Sequence, residues 1–370
     1  MTERLPLDGI RVIDVSRVLA GPFATMLLAD LGADVIKVEP PEGDETRAWG
    51  PPWVGDPDDR RSAYFCSVNR NKRGIVLDLR TDDGRATLDR LLADADLLVH
   101  NYRPTTAARL GLEADALAAR HPRLIVASVG GFPGADADRP AYDLLAQAVS
   151  GLMSITGEPG GPPMKVGVAL LDLMAGLEMA VGALAALVGR GSAGPRRVQV
   201  NLIEAGLTSL INVLGNQLAG SPPTRHGNAH PNIAPYQPFE ARDGHLVIAV
   251  GNDGQFRRLL SVLGLADDGR FATNPQRVAS REELAAWLGE AIAPWERAAL
   301  VTALAAVDVA AGPVSSVADA VDMMGAEWIQ EVGGVSVPPS PIRIGEGVLR
   351  ARRPPPLLGQ HTDEVLAGLR

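Results

Sequence analysis

Along the first two hundred residues, short apolar runs alternate with longer stretches whose apolar positions recur at helical spacing. "IRVIDVS", "DVIKVEP", "GIVLDL", "DLLVHNY" and "LIVASV" have strand length. Between them, "GPFATMLLADLGA" reads as a helix with Pro22 near its start and Gly32 at its end. "GRATLDRLLADA" reads as a second helix and "AARLGL" as a short third. Strand, helix, strand at this spacing predicts right-handed crossovers and a doubly wound, mostly parallel α/β sheet of Rossmann-like form. Such sheets bind ligands at the carboxyl ends of their strands. Those ends are Ser16–Arg17–Val18, Glu39–Pro40, Asp78–Leu79–Arg80 and Asn101–Tyr102–Arg103.

Helical patterns dominate next, in "YDLLAQAVSGLM", from Asp172 to Val188, and in "IEAGLTSLINVLGNQL" after the strand-like "RRVQVNL". "AGSPPTRHGNAHPNIAPYQP" is dense in Pro, Gly and Asn and reads as a linker. "GHLVIAV" then opens a new strand-then-helix unit, and "SREELAAWLGEAIAP" carries a Ser cap with Glu three residues later. The expected layout is a large domain over residues 1–200 and a linker helix over 201–224. A smaller α/β domain follows over 225–320, and a linker over 321–370 returns to the large domain.

The window from Val166 to Gly189 is long and apolar enough to be read as membrane-spanning. It contains Asp172 and Glu178, which are costly in a bilayer, so a buried core helix is the expectation. The N-terminus shows no basic segment followed by an apolar run, so no signal peptide is expected. The formal net charge of −9 argues against non-specific nucleic-acid binding, while leaving room for a local basic cluster. Cys66 is the one cysteine. It permits no intrachain disulfide or cysteine zinc site, fits a reducing cytoplasmic setting, and reads as a buried thiol in a strand-like stretch.

Gly189, Gly191 and Gly194 spell G-x-G-x-x-G. They follow a helix and precede Pro195, the reverse of the dinucleotide context, and read as a loop. His226 and His230 lack the helix and neighbouring Glu of a metalloprotease, and no metal is expected. Asp172, in "MKVGVALLDLMAG", is the informative residue. Gly167 and Gly176 would let other groups approach the backbone. A carboxylate in apolar surroundings is poorly hydrated and more nucleophilic, yet Asp is also a good helix N-cap where this helix begins. The two readings are compatible. Arg17, Arg47, Lys72, Arg73, Arg80, Arg103 and Arg109 fall near the predicted strand ends, as a phosphate-bearing ligand would require. Tyr102 and Arg109 could sandwich a flat base.

"RVIDVSRVLAGPFATMLLADLGADVIKVEPPEGDETR", "YFCSVNRNKRGIVLDL", "DLLVHNYRPTTAARLGL", "LIVASVGGF", "YDLLAQAVSGLMSITGEPGGPPMKVGVALLDLMAG" and "RRPPPLLGQHTDEVL" together resemble the third CoA-transferase family, in order and over nearly the whole chain. The resemblance implies an interlocked homodimer in which CoA is exchanged between an acyl-CoA and a carboxylic acid. No metal, nucleic acid or membrane would take part. It matches Asp172 to the catalytic aspartate and Tyr102 and Arg109 to positions flanking adenine. It also matches Arg17, Val18, Leu77, Asp78, Leu79, Arg80, Asn101, Arg103, Arg139, Tyr142 and Asp143 to stretches lining the CoA site. "RHGNAHPNIAPYQ" lacks the glycine run of formyl-CoA transferase, so that enzyme's oxalate and formate specificity does not carry over. Pro40 replaces an arginine that grips CoA there. The related α-methylacyl-CoA racemases place a His-Asp pair where this chain has Tyr142 and Asp143, and tyrosine is a poor base at neutral pH. A CoA-binding protein without turnover is the remaining alternative.

Overall fold

The computed structural model describes residues 4–57, 59–190, 196–345 and 347–369. Two compact units result: Met1–Leu152 with Lys165–Leu210 and Gly325–Arg370, and Met153–Met164 with Ile211–Met324.

In chain order the first unit forms β1 (Arg11–Asp14), α1 (Ala20–Asp30), β2 (Asp34–Glu39), a hairpin of β3 (Trp53–Val54) and β4 (Arg61–Ser62), α2 (Ala63–Ser67) and β5 (Lys72–Val76). Then come α3 (Asp82–Ala93), β6 (Leu97–His100), α4 (Pro104–Leu110), α5 (Ala114–Arg120), β7 (Ile125–Gly130) and α6 (Asp143–Val149). After α7 (Leu152–Ile155), the first unit resumes with α8 (Leu170–Val188), β8 (Arg197–Asn201) and α9 (Leu202–Thr208). Six strands make one parallel sheet in the order β5-β2-β1-β6-β7-β8, so the winding reverses direction at β1.

Alternate residues of these strands serve two cores. Val12, Val35, Leu97, Val99, Ile125 and Ala127 pack with α1 and α8. Ile13, Ile36, Ile75, Leu98 and Val126 pack with α3, α4 and α5. The α8 helix is apolar and long enough to cross a membrane by length and composition alone, but Leu171, Ala175, Met179, Ala183 and Ala186 are buried in the first core. A Cβ on Gly176 would lie 2.7 Å from Ala20 O, so this glycine is what lets α1 and α8 pack closely. Gly167 has open space around it and serves no such approach.

The chain's last segment lies on the same unit. Arg352 donates from Nη1 to Asp30 O at 3.2 Å, and Val76 N donates to Thr362 Oγ1 at 3.1 Å. The second unit has its own core. It comprises α10 (Ile211–Leu218), β9 (Tyr236–Ala241), β10 (Gly244–Ala249), α11 (Asp253–Leu263), α12 (Asn274–Ala279), α13 (Arg281–Ile292), α14 (Arg297–Ala305) and β11 (Ala310–Pro313). The three strands pair antiparallel in the order β11-β10-β9, with Leu246, Ile248, Phe256, Leu259, Leu288 and Leu300 at the centre.

Several local expectations change. Cys66 is buried as expected, but in α2, because Ser62 Oγ caps that helix by accepting from Phe65 N at 3.0 Å. Burial pushes its thiol up to about 11. "IEAGLTSLINVLGNQL" breaks into α9 and α10, with Ile211 at φ +42. "YDLLAQAVSGLM" breaks at Gly151, φ +92. Ser280 precedes α13 without a capping side-chain bond, since it also terminates α12. Gly191 and Gly194 lie outside the described residues, and Gly189 ends α8.

Beneath β1 and β2 four charges are shut away from water: Asp14, Lys37, Asp44 and Lys72. Lys72 Nζ donates to Asp14 at 3.0 Å, to Pro22 O and to Asn69 Oδ1. Lys37 Nζ donates to Asp44 at 2.9 Å and to Ser16 O at 3.0 Å. Burial alone would raise Asp44, but the Lys37 ammonium, with bonds from Thr46, holds it at about 2. Burial pulls Lys72 down to about 8 against the attraction of Asp14, so it stays protonated at neutral pH. Removing one member of a buried pair strands the other. Lys37→Met is therefore expected to cost roughly 3–5 kcal/mol, read by urea unfolding at pH 7. An unchanged midpoint would mean that Asp44 finds water instead.

Candidate active site

Asp172 is the third residue of α8, and Ala169 at its N-cap offers no side-chain acceptor. The exposed N–H groups of the first turn need one. It comes from another helix. Asp143, the first residue of α6, accepts from Leu171 N at 2.8 Å and from Asp172 N at 3.4 Å through Oδ1. Asp172 is thus not the cap of its helix; Asp143 is, and the Asp172 carboxylate is left for other work. Gln147, fully buried, holds the arrangement. It donates to Asp143 Oδ2 at 2.6 Å and to Val168 O at 3.2 Å, and accepts from Val166 N at 2.8 Å.

Two effects act on Asp172. Burial is the larger, and the Asp143 charge adds to it; together they push its pKa up to about 7. Both disfavour the carboxylate. The group therefore exchanges its proton near physiological pH, unlike an ordinary carboxylate. Nearby Tyr64 is pushed upward by burial and by the charges of Asp172, Asp143 and Asp44, so its phenol stays a neutral hydrogen-bond donor.

Asp172 lines a cavity of about 290 Å³ with Arg17, Val18, Asn101, Tyr102, Arg103, Arg139 and Tyr142, all seven expected from the sequence. The near wall is the loop after β1. Arg17 N donates to Asn101 Oδ1 at 2.9 Å, and Asn101 Nδ2 returns a bond to Arg17 O at 2.6 Å. Val18 is held at φ +68, its N–H 3.3 Å from Asp44 Oδ2. The Arg17 guanidinium lies 5.0 Å from the Tyr102 ring centroid, and Arg139 lies 4.2 Å from that of Phe132.

Leu77, Asp78, Leu79, Arg80, Arg109 and Asp143 do not line this cavity. Leu77 and Leu79 are in the second core of the first unit, and Arg109 is exposed on α4. The basic set narrows as well. Arg47 makes a two-bond pair with Glu39, both at 2.7 Å. Arg73 pairs with Asp34 and Glu364, Arg80 with Asp78 and Glu42, and Lys72 with Asp14. Arg47, Lys72 and Arg73 are spent on carboxylates of the fold and Arg80 pairs at the surface, so the expected cations that line the cavity are Arg17, Arg103 and Arg139, the last with Asp136 3.3 Å away.

Reading the chain missed Glu45, Leu202 and the Val129–Gly131 segment, which also line the cavity, and it missed Gln147. The spacing of Asp143 and Gln147, one helical turn apart, was a readable signal for the last. Among the described residues no group of three or more His, Cys, Asp or Glu is arranged to hold a metal.

A desolvated acid in a cavity shared with guanidinium groups, at the carboxyl edge of a doubly wound sheet, fits enzymes that move coenzyme A between carboxylic acids, and comparison with known proteins identifies that class. The chain belongs to CoA-transferase family III, whose profile matches residues 7–362. It is 44% identical to the succinate–glutarate CoA-transferase of Agrobacterium fabrum, over 98% of this chain and 96% of that protein. It is 37% identical to the human succinyl-CoA:glutarate CoA-transferase, over 99% and 86%. A solved CaiB/BaiF family protein from Brucella suis superposes with a TM-score of 0.88 at 41% identity, covering both chains fully.

A raised carboxylate pKa means Asp172 is neutral below about 7 and ionised above it. If the carboxylate is the reacting form, kcat/KM should climb as pH rises through that value. Asp143→Asn removes the repelling charge, so the limb should move to lower pH. It also turns an amide against Gln147, and kcat at pH 8 should fall about tenfold through lost positioning. A pH profile of both proteins checks this; a limb that stays in place would separate Asp143 from the ionisation of Asp172.

Proposed function

We propose that this enzyme carries CoA on Asp172 as a thioester while exchanging it between two carboxylic acids. The observation that supports this most is Asp172 itself: a desolvated carboxylate, freed from helix capping by Asp143, in a cavity with three guanidinium groups. A weakly hydrated carboxylate is a better nucleophile than a solvated one.

The steps balance without ATP or a redox partner. Asp172 Oδ attacks the thioester carbonyl of the donor; the C–S bond breaks and CoA leaves as thiolate. The product is a mixed anhydride between the acyl group and Asp172. The thiolate attacks the aspartyl carbonyl, expels the donor acid as its carboxylate, and forms the aspartyl–CoA thioester. The acceptor carboxylate then attacks that carbonyl, and the same two steps in reverse yield the new acyl-CoA and free Asp172. Each attack places negative charge on a carbonyl oxygen, which fixed donors and cations stabilise most effectively when water is excluded.

Arg17, Arg103 and Arg139 are assigned to the anionic parts of CoA, and Tyr102 to the face of its base. Asp78, Arg80 and Arg109, with the backbone of Leu77 and Leu79, whose side chains are in the core, are assigned to the outer reach of CoA, a molecule too long for a 290 Å³ hollow. The interlocked homodimer is part of the same proposal. Relatives named for succinate and glutarate favour C4 and C5 dicarboxylic acids as donor and acceptor. Racemisation is disfavoured because the Asp143 carboxylate is already engaged by Leu171, Asp172 and Gln147 and is not poised as a second base.

Succinyl-CoA and glutarate should give glutaryl-CoA and succinate, detected by mass. Hydroxylamine quenching during turnover should leave a hydroxamate at Asp172. Asp172→Ala should bind CoA yet lose at least 10³-fold in rate, the scale on which covalent and acid–base groups act. Ordinary turnover by that variant would remove Asp172 from the chemistry.

A further inference from the structure

The second unit holds a cavity of about 760 Å³ between α10, the segment from Ser221 to Asn232, and the helices α12 and α13. That volume lies within the range of small-molecule pockets. Its lining is not that of an empty packing defect. Asn216 and Asn232 exchange side-chain hydrogen bonds at 3.2 Å, and Asn274 donates to Asn232 O at 2.9 Å while accepting from Ala234 N at 3.2 Å. These amides are satisfied and hold one wall in shape. Val213 and Val278 give it an apolar side.

The charge in this cavity is one-sided. Arg281 lines it, and no Asp or Glu does. Arg281 Nη2 donates to Pro231 O at 3.0 Å, while Nη1 is buried without an acceptor. No carboxylate among the described residues lies within ion-pair distance of it. Arg277, one turn of chain earlier, shows what a structural arginine looks like in this unit. Its Nε, Nη1 and Nη2 donate to Ala234 O, Phe271 O and Asp253 Oδ1, at 2.6, 3.0 and 2.7 Å. Arg281 is desolvated without that compensation, and burial pulls its pKa down. A half-buried cation with spare donors is incomplete until an anion arrives.

The surroundings select the kind of anion. Burial and the Arg281 charge hold His226, which lines the cavity, below the ordinary histidine range, so it is neutral at pH 7. Arg225, whose Nη1 is also buried without a partner, does not line the cavity. One cation, neutral imidazole and amide donors, and an apolar side suit a single carboxylate on a hydrocarbon chain. A phosphate dianion would demand more positive charge.

We infer that this cavity binds an organic acid, its carboxylate paired with Arg281 and its chain against Val213 and Val278. The inference stands apart from the Asp172 chemistry, since it needs neither CoA nor turnover.

The test is a titration of the full-length protein with pentanoate, and separately with inorganic phosphate, followed by ligand-observed NMR at pH 7.5 in an amine buffer. Wild type and Asp172→Ala should bind pentanoate equally and phosphate more weakly. Arg281→Met should weaken pentanoate binding more than tenfold. Val213→Trp, which fills the apolar side and leaves the Arg281–Pro231 bond alone, should block it in a protein whose circular dichroism is unchanged. The inference is overturned if wild type shows no binding, if both variants bind as wild type does, or if phosphate binds more tightly. Loss of binding in Asp172→Ala alone would place the acid at the other site and overturn it too. None of these outcomes depends on whether Asp172 forms a thioester.

Discussion

The carboxyl edge of the parallel sheet rests on Asp14, Lys37, Asp44 and Lys72, four charged side chains with no access to water. Such a group is tolerable only while every member keeps its partner. Its consequence reaches the surface. Lys37 holds Ser16 O, Asp14 accepts from Ser16 N at 3.0 Å, and Asp44 faces Val18 N. The loop from Ser16 to Leu19, which walls the Asp172 cavity, is thus pinned from below by ion pairs whose members do not line that cavity. Asn101 completes the hold from β6. A wall fixed this way costs little to keep in place when a substrate binds, which is the physical meaning of a preorganised site.

Asp143 ties stability to reactivity at the other wall. Its carboxylate supplies the acceptor that the first turn of α8 lacks, a favourable contact at the positive end of a helix. The same charge stands beside Asp172 and opposes its ionisation. One side chain therefore stabilises the helix and destabilises the anion that the helix carries. Gln147 keeps the two roles compatible, because it fixes the orientation of Asp143 and the approach of residues 166–168 together. The raised pKa of Asp172 follows from where the fold places two acids and from how little water reaches them.

Much of this was legible in the chain. Apolar runs separated by helical spacing specified the strands, and the order of those runs specified a parallel sheet, because crossovers have one favoured hand. Strand ends pointed to Arg17, Asn101, Tyr102 and Arg103, all of which line the cavity. Where reading failed, the cause was competition with a partner remote in sequence or a local conformation that composition hides. Arg47, Lys72 and Arg73 looked like ligand-binding cations and instead meet carboxylates of the fold itself. Cys66 sat in a strand-like run that Ser62 turned into a helix. A long amphipathic pattern after β8 broke at Ile211, whose positive φ no periodicity could announce.

By itself, then, the chain determined what depends on near neighbours: which segments are strands or helices, and that an acid at position 172 stands in the first turn of a helix whose other residues, Glu178 apart, are apolar or glycine. Folding decided what depends on pairs brought together from afar. Lys72 and Asp14 are 58 positions apart, and Asp143 reaches Leu171 across 28. Whether a charge is spent on a neighbour or left facing a cavity is a question of distance in space, since attraction between ions and the loss of hydration both act over a few ångströms. Sequence order carries no such distances, so the cap on α8, the unpaired guanidinium of Arg281 and the basicity of Asp172 are properties that the tertiary structure alone supplies.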